Sequence, residues 1–109
     1  MLHWDFLLEE PESLRTWRLM TEPDTGSTIA AEALPAHRKL YLDYEGPVSG
    51  DRGCVTQWDS GQFEYQTNEI DTIQTVLQGK KLEGTAQLIR QSDDAWEFKF
   101  NAAESSVPP

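Results

Sequence analysis

Polar and apolar residues alternate with a period of two along most of this chain. In the first ten residues Leu2, Trp4, Phe6 and Leu8 fall on one side, and Met1, His3, Asp5 and Leu7 on the other. Such a run predicts a strand anchored in a core by its Trp/Phe face. Pro11 and Glu12 then mark a turn. Residues 13–20 alternate again, with Arg15, Trp17 and Leu19 opposite Leu14, Thr16 and Arg18. Pro23, Asp24 and Gly26 give residues 22–27 turn chemistry. Residues 28–34 read as a strand, although their alanines would equally suit a short helix, and Pro35 is expected to stop it.

Further on, residues 40–44 alternate once more before a loop at 46–53 that holds three glycines. Residues 54–58 read as a strand, with Asp59-Ser60-Gly61 as a hairpin connection into residues 62–66. In residues 68–78, Ile70, Ile73, Val76 and Leu77 fit a helical face, but the wealth of Thr, Ile and Val favours a strand. Gly79 and the following lysine pair turn the chain. Leu82 and then residues 86–90 make another strand, interrupted by Gly84. Asp93-Asp94 turns into residues 95–101, where Trp96, Phe98 and Phe100 share a face. Many short strands separated by Gly, Asp and Pro turns predict an all-β fold, a compact, mostly antiparallel β-barrel of about seven to eight strands. Residues 1–101 are assigned to one domain and 102–109, small and polar with two prolines, to a flexible tail.

A length of 109 residues suits a single core, and four Trp, four Phe and three Tyr supply bulk for it. The single cysteine, Cys54, rules out an internal disulfide and fits a reducing compartment; it is expected to be a small buried hydrophobe and not a nucleophile. No apolar run approaches a membrane span and no signal peptide is legible, so a soluble cytoplasmic protein without membrane partners is expected. Nineteen acidic against nine basic residues give a net charge of −10. A field of that sign repels polyphosphates, so strong nonspecific nucleic-acid binding is not expected. Screening still permits a local basic patch, for which Arg15 with Arg18, Arg38 with Lys39, and Lys80 with Lys81 are the candidates.

The candidate chemistry begins at His3 and Asp5. Two residues apart on a strand, they lie roughly 6.6 Å apart along it and point the same way. They could share a divalent cation or a phosphate, or simply form the polar face of an edge strand, hydrogen-bonded to each other.

Several segments together resemble the 3′-phosphoesterase domain of bacterial DNA ligase D and its stand-alone relatives. His3-Trp4-Asp5-Phe6-Leu7-Leu8-Glu9 is similar to the family's His-Tyr-Asp-Phe/Leu-Arg-Leu-Glu strand. The run from Ala36 through His37 and Tyr41 to Glu45-Gly46 resembles Asp-His-Pro-x-x-Tyr-x-x-Phe-Glu-Gly. Trp58-Asp59-Ser60-Gly61 matches Trp-Asp-x-Gly. Lys81-Leu82-Glu83-Gly84 with Leu88-Ile89-Arg90, and then Trp96-Glu97-Phe98-Lys99, resemble the C-terminal runs.

The resemblance implies a β-barrel with a manganese site in a groove, and trimming of damaged or ribonucleotide-bearing 3′ ends of DNA for repair. Carried over position by position, His3 and Asp5 are metal ligands for Mn²⁺, and His37 and Tyr41 face the scissile phosphate as the catalytic pair. Four features depart from the family. Its first metal histidine falls ahead of residue 1 of this sequence. Its phosphate-binding arginine falls on Leu7, which donates no hydrogen bond. Arg38 replaces the proline after the histidine, and the loop after Gly46 is short and lacks the family's tyrosine. Two readings follow. One is a Mn²⁺-dependent hydrolase, weakened or inactive, acting on 3′ ends of DNA or on a small phosphorylated substrate. The other is a catalytically inactive β-barrel serving as a binding or interaction module, with a groove lined partly by Leu7. The sequence specifies no oligomeric state.

Overall fold

The computed structural model describes residues 2–47 and 53–103. Its strands are β1 (Trp4–Glu9), β2 (Leu14–Leu19), β3 (Ile29–His37), β4 (Gly46–Pro47), β5 (Cys54–Val55), β6 (Gly61–Asn68), β7 (Thr72–Gly79), β8 (Glu83–Ser92) and β9 (Ala95–Ala102). Two 3₁₀ turns, η1 (Pro23–Thr25) and η2 (Lys39–Leu42), complete the inventory among the described residues. Seven strands form one antiparallel sheet in the order β1-β2-β3-β9-β8-β7-β6, and β4 pairs with β5 apart from it. The sheet curls into a half-barrel, so the fold is all-β as expected, with β1 and β6 as its two free edges. No described helix is long and apolar enough to cross a membrane.

Alternation explains the curl. Cross-strand register places Trp17, Ala33, Ala31, Trp96, Phe98, Leu88, Ala86, Ile73 and Leu77 on the inner face, and they form most of the core. Small residues on β3 and β8 stand opposite the large rings of β2 and β9, which lets the sheet bend over them. Phe98 is fully buried, with Phe6 packed edge-on at 5.3 Å between ring centroids. Gly84, a buried position in β8, is required because a Cβ there would overlap the Asn101 carbonyl oxygen.

Six sequence expectations are corrected. Pro35 does not end β3: the register with β2 shifts there, and β9 pairs only with Ile29 to Glu32, so no ladder bond is asked of the proline nitrogen. Residues 40–44 do not form a strand. Their first part is η2, since the sheet offers no neighbouring strand to pair with. The strand expected at 54–58 shrinks to Cys54–Val55, which pairs with β4 and not with β6. Gly84 does not interrupt its strand, because β8 runs unbroken from Glu83 to Ser92. Cys54 is exposed, on a two-residue ribbon outside the sheet, and not buried. Leu2 also misses the core, lying ahead of β1 and 75 % exposed. Residues 104–109 of the expected tail lie outside the described residues.

Candidate functional site

The outer face of the first three strands holds most of the candidate residues. A short connection joins β1 to β2, closed by a Glu10 N–H bond to the Ser13 carbonyl at 2.9 Å. This fixes a register in which Asp5 faces Arg18, Leu7 faces Thr16, and Glu9 faces Leu14. β3 extends each rung: Arg18 faces Glu32, Thr16 faces Leu34, and Leu14 faces His37. Residues opposite one another point to the same side. The face therefore reads as three rungs: Asp5–Arg18–Glu32, Leu7–Thr16–Leu34 and Glu9–Leu14–His37.

His3, just ahead of β1, brings its Nε2 to 3.5 Å from Asp5 Oδ1, with both side chains partly exposed. Arg18 Nε lies 4.0 Å from the same oxygen. The expected pair is thus together on one face, with a guanidinium beside it. Among the described residues no cluster of three or more His, Cys, Asp or Glu side chains is placed to hold a metal.

His37 and Tyr41 lie at the opposite end. After β3 the chain turns into η2, held by a Tyr41 N–H bond to the Arg38 carbonyl at 3.0 Å. Lys39 Nζ meets Glu9 Oε2 at 3.3 Å and fastens η2 to β1. The His37 and Tyr41 rings pack edge-on at 5.9 Å, and Tyr44 continues the stack at 5.7 Å. His37 Nδ1 lies 3.1 Å from the Pro35 carbonyl oxygen. A carbonyl only accepts, so Nδ1 carries the hydrogen, and Nε2 of the neutral ring is left as an acceptor.

The two pairs share the face but not a single point of contact. The Asp5 and His37 rungs are four residues apart along the strands, roughly 13 Å at strand rise. Leu7 and Thr16 occupy the rung between them. The Thr16 hydroxyl is turned away, donating to the Leu14 carbonyl at 2.9 Å. Beside this face a cleft of about 350 Å³ opens between the free edges of the half-barrel. Leu7, Glu9, Leu42, Phe63, Glu64 and Val76 line it, and none of His3, Asp5, His37 and Tyr41 does.

Asp59 of the Trp-Asp-x-Gly segment has a structural task. Its carboxylate accepts the amides of Ser60 and Lys80 at 2.8 Å, Leu82 at 2.8 Å and Lys81 at 3.1 Å. Burial pushes its pKa up, but the four donors outweigh that and hold it below the usual carboxylate value. Asp59 so clasps the β7–β8 turn, while Trp58 packs on the core edge with Lys81 Nζ 4.4 Å from its ring centroid. Gly79 is needed there, since a Cβ would overlap the Asp59 carboxylate.

Arg18 was legible only as half of a candidate basic patch with Arg15. The structure separates the two: Arg15 lies on the inner side, bonding Asn68 Oδ1 at 3.0 Å and stacking on Trp17, whereas Arg18 stands on the rung of Asp5. The turn at Pro11 and Glu12 held the signal, because a tight connection centred there pairs positions 5 and 18.

The family model for the DNA ligase D 3′-phosphoesterase domain matches residues 1–90, a span that contains His3, Asp5, Arg18, His37 and Tyr41. Among curated proteins none matches the chain.

Proposed function

The chain belongs to the DNA ligase D 3′-phosphoesterase domain family, and from that premise we propose that its outer face binds the phosphorylated 3′ end of DNA and releases the terminal phosphate or ribonucleotide with the help of a divalent cation. The observation that carries this reading is the three-rung face, with Asp5 on β1 and His37 two strands away on β3, His3 beside Asp5 and Tyr41 packed edge-on against His37. His3 and Asp5 fit a cation in part, with a nitrogen and an oxygen donor 3.5 Å apart and solvent access. They would hold Mn²⁺, which when bound supplies Lewis-acid polarisation of a phosphoryl oxygen. At the other end His37 keeps Nε2 available for a proton, and the Tyr41 ring fixes its orientation. A small phosphorylated compound could use the same groups. The net charge of −10 confines phosphate binding to this local cluster, and the lone thiol of Cys54 agrees with a cytoplasmic location.

The test is turnover of a 3′-phosphorylated oligonucleotide and of one ending in a ribonucleotide, with Mn²⁺ and with chelator. Mn²⁺-dependent release that Asp5→Asn and His37→Ala each abolish supports the reading. Release that survives both substitutions overturns the residue assignment.

One observation favours the second reading, a binding module without turnover. The central rung offers Leu7 where a phosphate would sit, and the adjacent cleft combines Leu7, Leu42 and Phe63 with Glu9 and Glu64. Retained binding of the 3′-phosphorylated strand with no product at any metal concentration would select it.

A further inference from the structure

We infer that Arg18 is the residue that grips the terminal phosphate on this face, a role that rests on the phosphoesterase reading above. A phosphate monoester on the outer face needs a cation with hydrogen bonds to give, because strand residues there donate none through their backbones. Leu7 has no donor, and the Thr16 hydroxyl is committed to the Leu14 carbonyl. Lys39 is paired with Glu9, and Arg38 lies against the Tyr41 ring at 5.8 Å from guanidinium carbon to centroid. Arg18 is differently placed. Its side chain is 38 % exposed, yet its Nε is buried and has no hydrogen-bond partner. The nearest anion, Asp5 Oδ1, lies 4.0 Å away, close enough for charge attraction and too far for a hydrogen bond.

Register supplies the reach. Arg18 faces Asp5, so it is the diagonal neighbour of Leu7, whose own opposite is Thr16. Diagonal neighbours are roughly 7–8 Å apart, a span that a long side chain covers. The guanidinium can thus fork onto an anion above the Leu7 rung while staying beside the Asp5 carboxylate. The planar fork matches two phosphate oxygens in a way an ammonium does not, and a terminal phosphate, with three free oxygens and up to two charges against the two oxygens and single charge of an internal diester, attracts it more strongly.

The experiment follows the Arg Nε–Hε resonances by NMR as the full chain is titrated with a 3′-phosphorylated oligonucleotide and with its 3′-hydroxyl counterpart. The expected result is a selective shift of the Arg18 signal by the phosphorylated strand. Arg18→Gln should weaken that binding by about 10- to 100-fold, the worth of a charge-assisted hydrogen bond, and Arg18→Lys by less. Because the side chain is partly exposed, the variants keep the wild-type amide dispersion, and the wild-type shift needs no variant at all. Binding that perturbs the amides of β1 and β3 but leaves the Arg18 signal still, with unchanged affinity in Arg18→Gln, overturns this assignment while sparing the function. Absence of any binding by the wild-type chain overturns the function itself, and the role of Arg18 with it.

Discussion

The β6–β9 meander and the β1–β3 segment are both antiparallel and both bury one face in the same core, but they treat their outer faces differently. In the meander the outward positions are solvated polar residues such as Gln62, Glu64, Gln66 and Gln78, all exposed. In the middle strand of the other segment both faces are closed: Trp17 and Leu19 point into the core, while Leu14 and Thr16, at 0 % and 2 % exposure, are covered on the outside. A sheet face that serves only solubility needs no cover. The outer face of β1–β3 is instead walled by η2 at one end and by the His3–Asp5–Arg18 cluster at the other. The outer face of the meander is thus solvated, and that of β1–β3 is covered at its middle strand.

The two regions join along a narrow seam, Ile29 to Glu32 against Ala95 to Phe98. The largest effect should come from cutting it. Phe98 faces Ile29 on one side and Leu88 on the other and is fully buried. Phe98→Ala should cost about 3–5 kcal/mol, read by denaturant unfolding, and should destabilise both regions together. If the meander unfolded separately from β1–β3, the seam would not be the shared core described here.

Asp59→Ala comes next, at about 2–3 kcal/mol, because it strips the acceptor from four amides at the β7–β8 turn. The pH dependence has a definite sign. The folded-state pKa of Asp59 is lowered, so its contribution is complete above the unfolded value of about 3.9 and is lost as pH falls through the lower folded value. Asp59→Asn should flatten the acid limb of the stability profile. A limb as steep in that variant as in the wild type would assign acid sensitivity to other carboxylates.

The same contrast decided what could be read from the sequence. The meander was legible almost residue by residue, since Trp96, Phe98 and Phe100 alternate and each turn carries Gly, Asp or Lys. Its exceptions are Gly84, which does not interrupt β8, and the role of Asp59, whose segment reads as a hairpin connection. The clasp needs Lys80, Lys81 and Leu82 to return to within hydrogen-bonding distance, and local chemistry does not announce a partner more than twenty positions away. The β1–β3 face was legible in its strands and in the candidates His3, Asp5, His37 and Tyr41, but not in their spacing. That spacing depends on the register shift beside Pro35, which lets β3 run on to His37. Residues 40–44 misled because five positions of alternation cannot distinguish a strand from a 3₁₀ turn when no partner strand is at hand. Cys54 misled because burial of a small apolar residue is a prior about cores, and β5 lies outside the core.

Substitutions at the exposed His3–Asp5 end of the outer face should barely touch stability. His3→Ala and Asp5→Asn should each change it by less than about 0.5 kcal/mol, since their contacts are partly exposed. Each should nevertheless abolish paramagnetic broadening of the β1 amides by Mn²⁺. Broadening that persists in both variants would move the cation elsewhere.

Leu7→Arg adds a group in place of removing one. Leu7 is half-buried at the cleft, between the Asp5 and Glu9 rungs, and a long side chain can leave that position toward solvent, so the cost should stay within about 1 kcal/mol. The new guanidinium would sit diagonally to Arg18 and directly over the central rung. If phosphate is held there, affinity for a 3′-phosphorylated strand should rise, and the loss caused by Arg18→Gln should shrink in the double variant, because the second fork replaces the first. Two arginines acting independently would instead give additive changes, which would place the phosphate nearer Asp5 than Leu7.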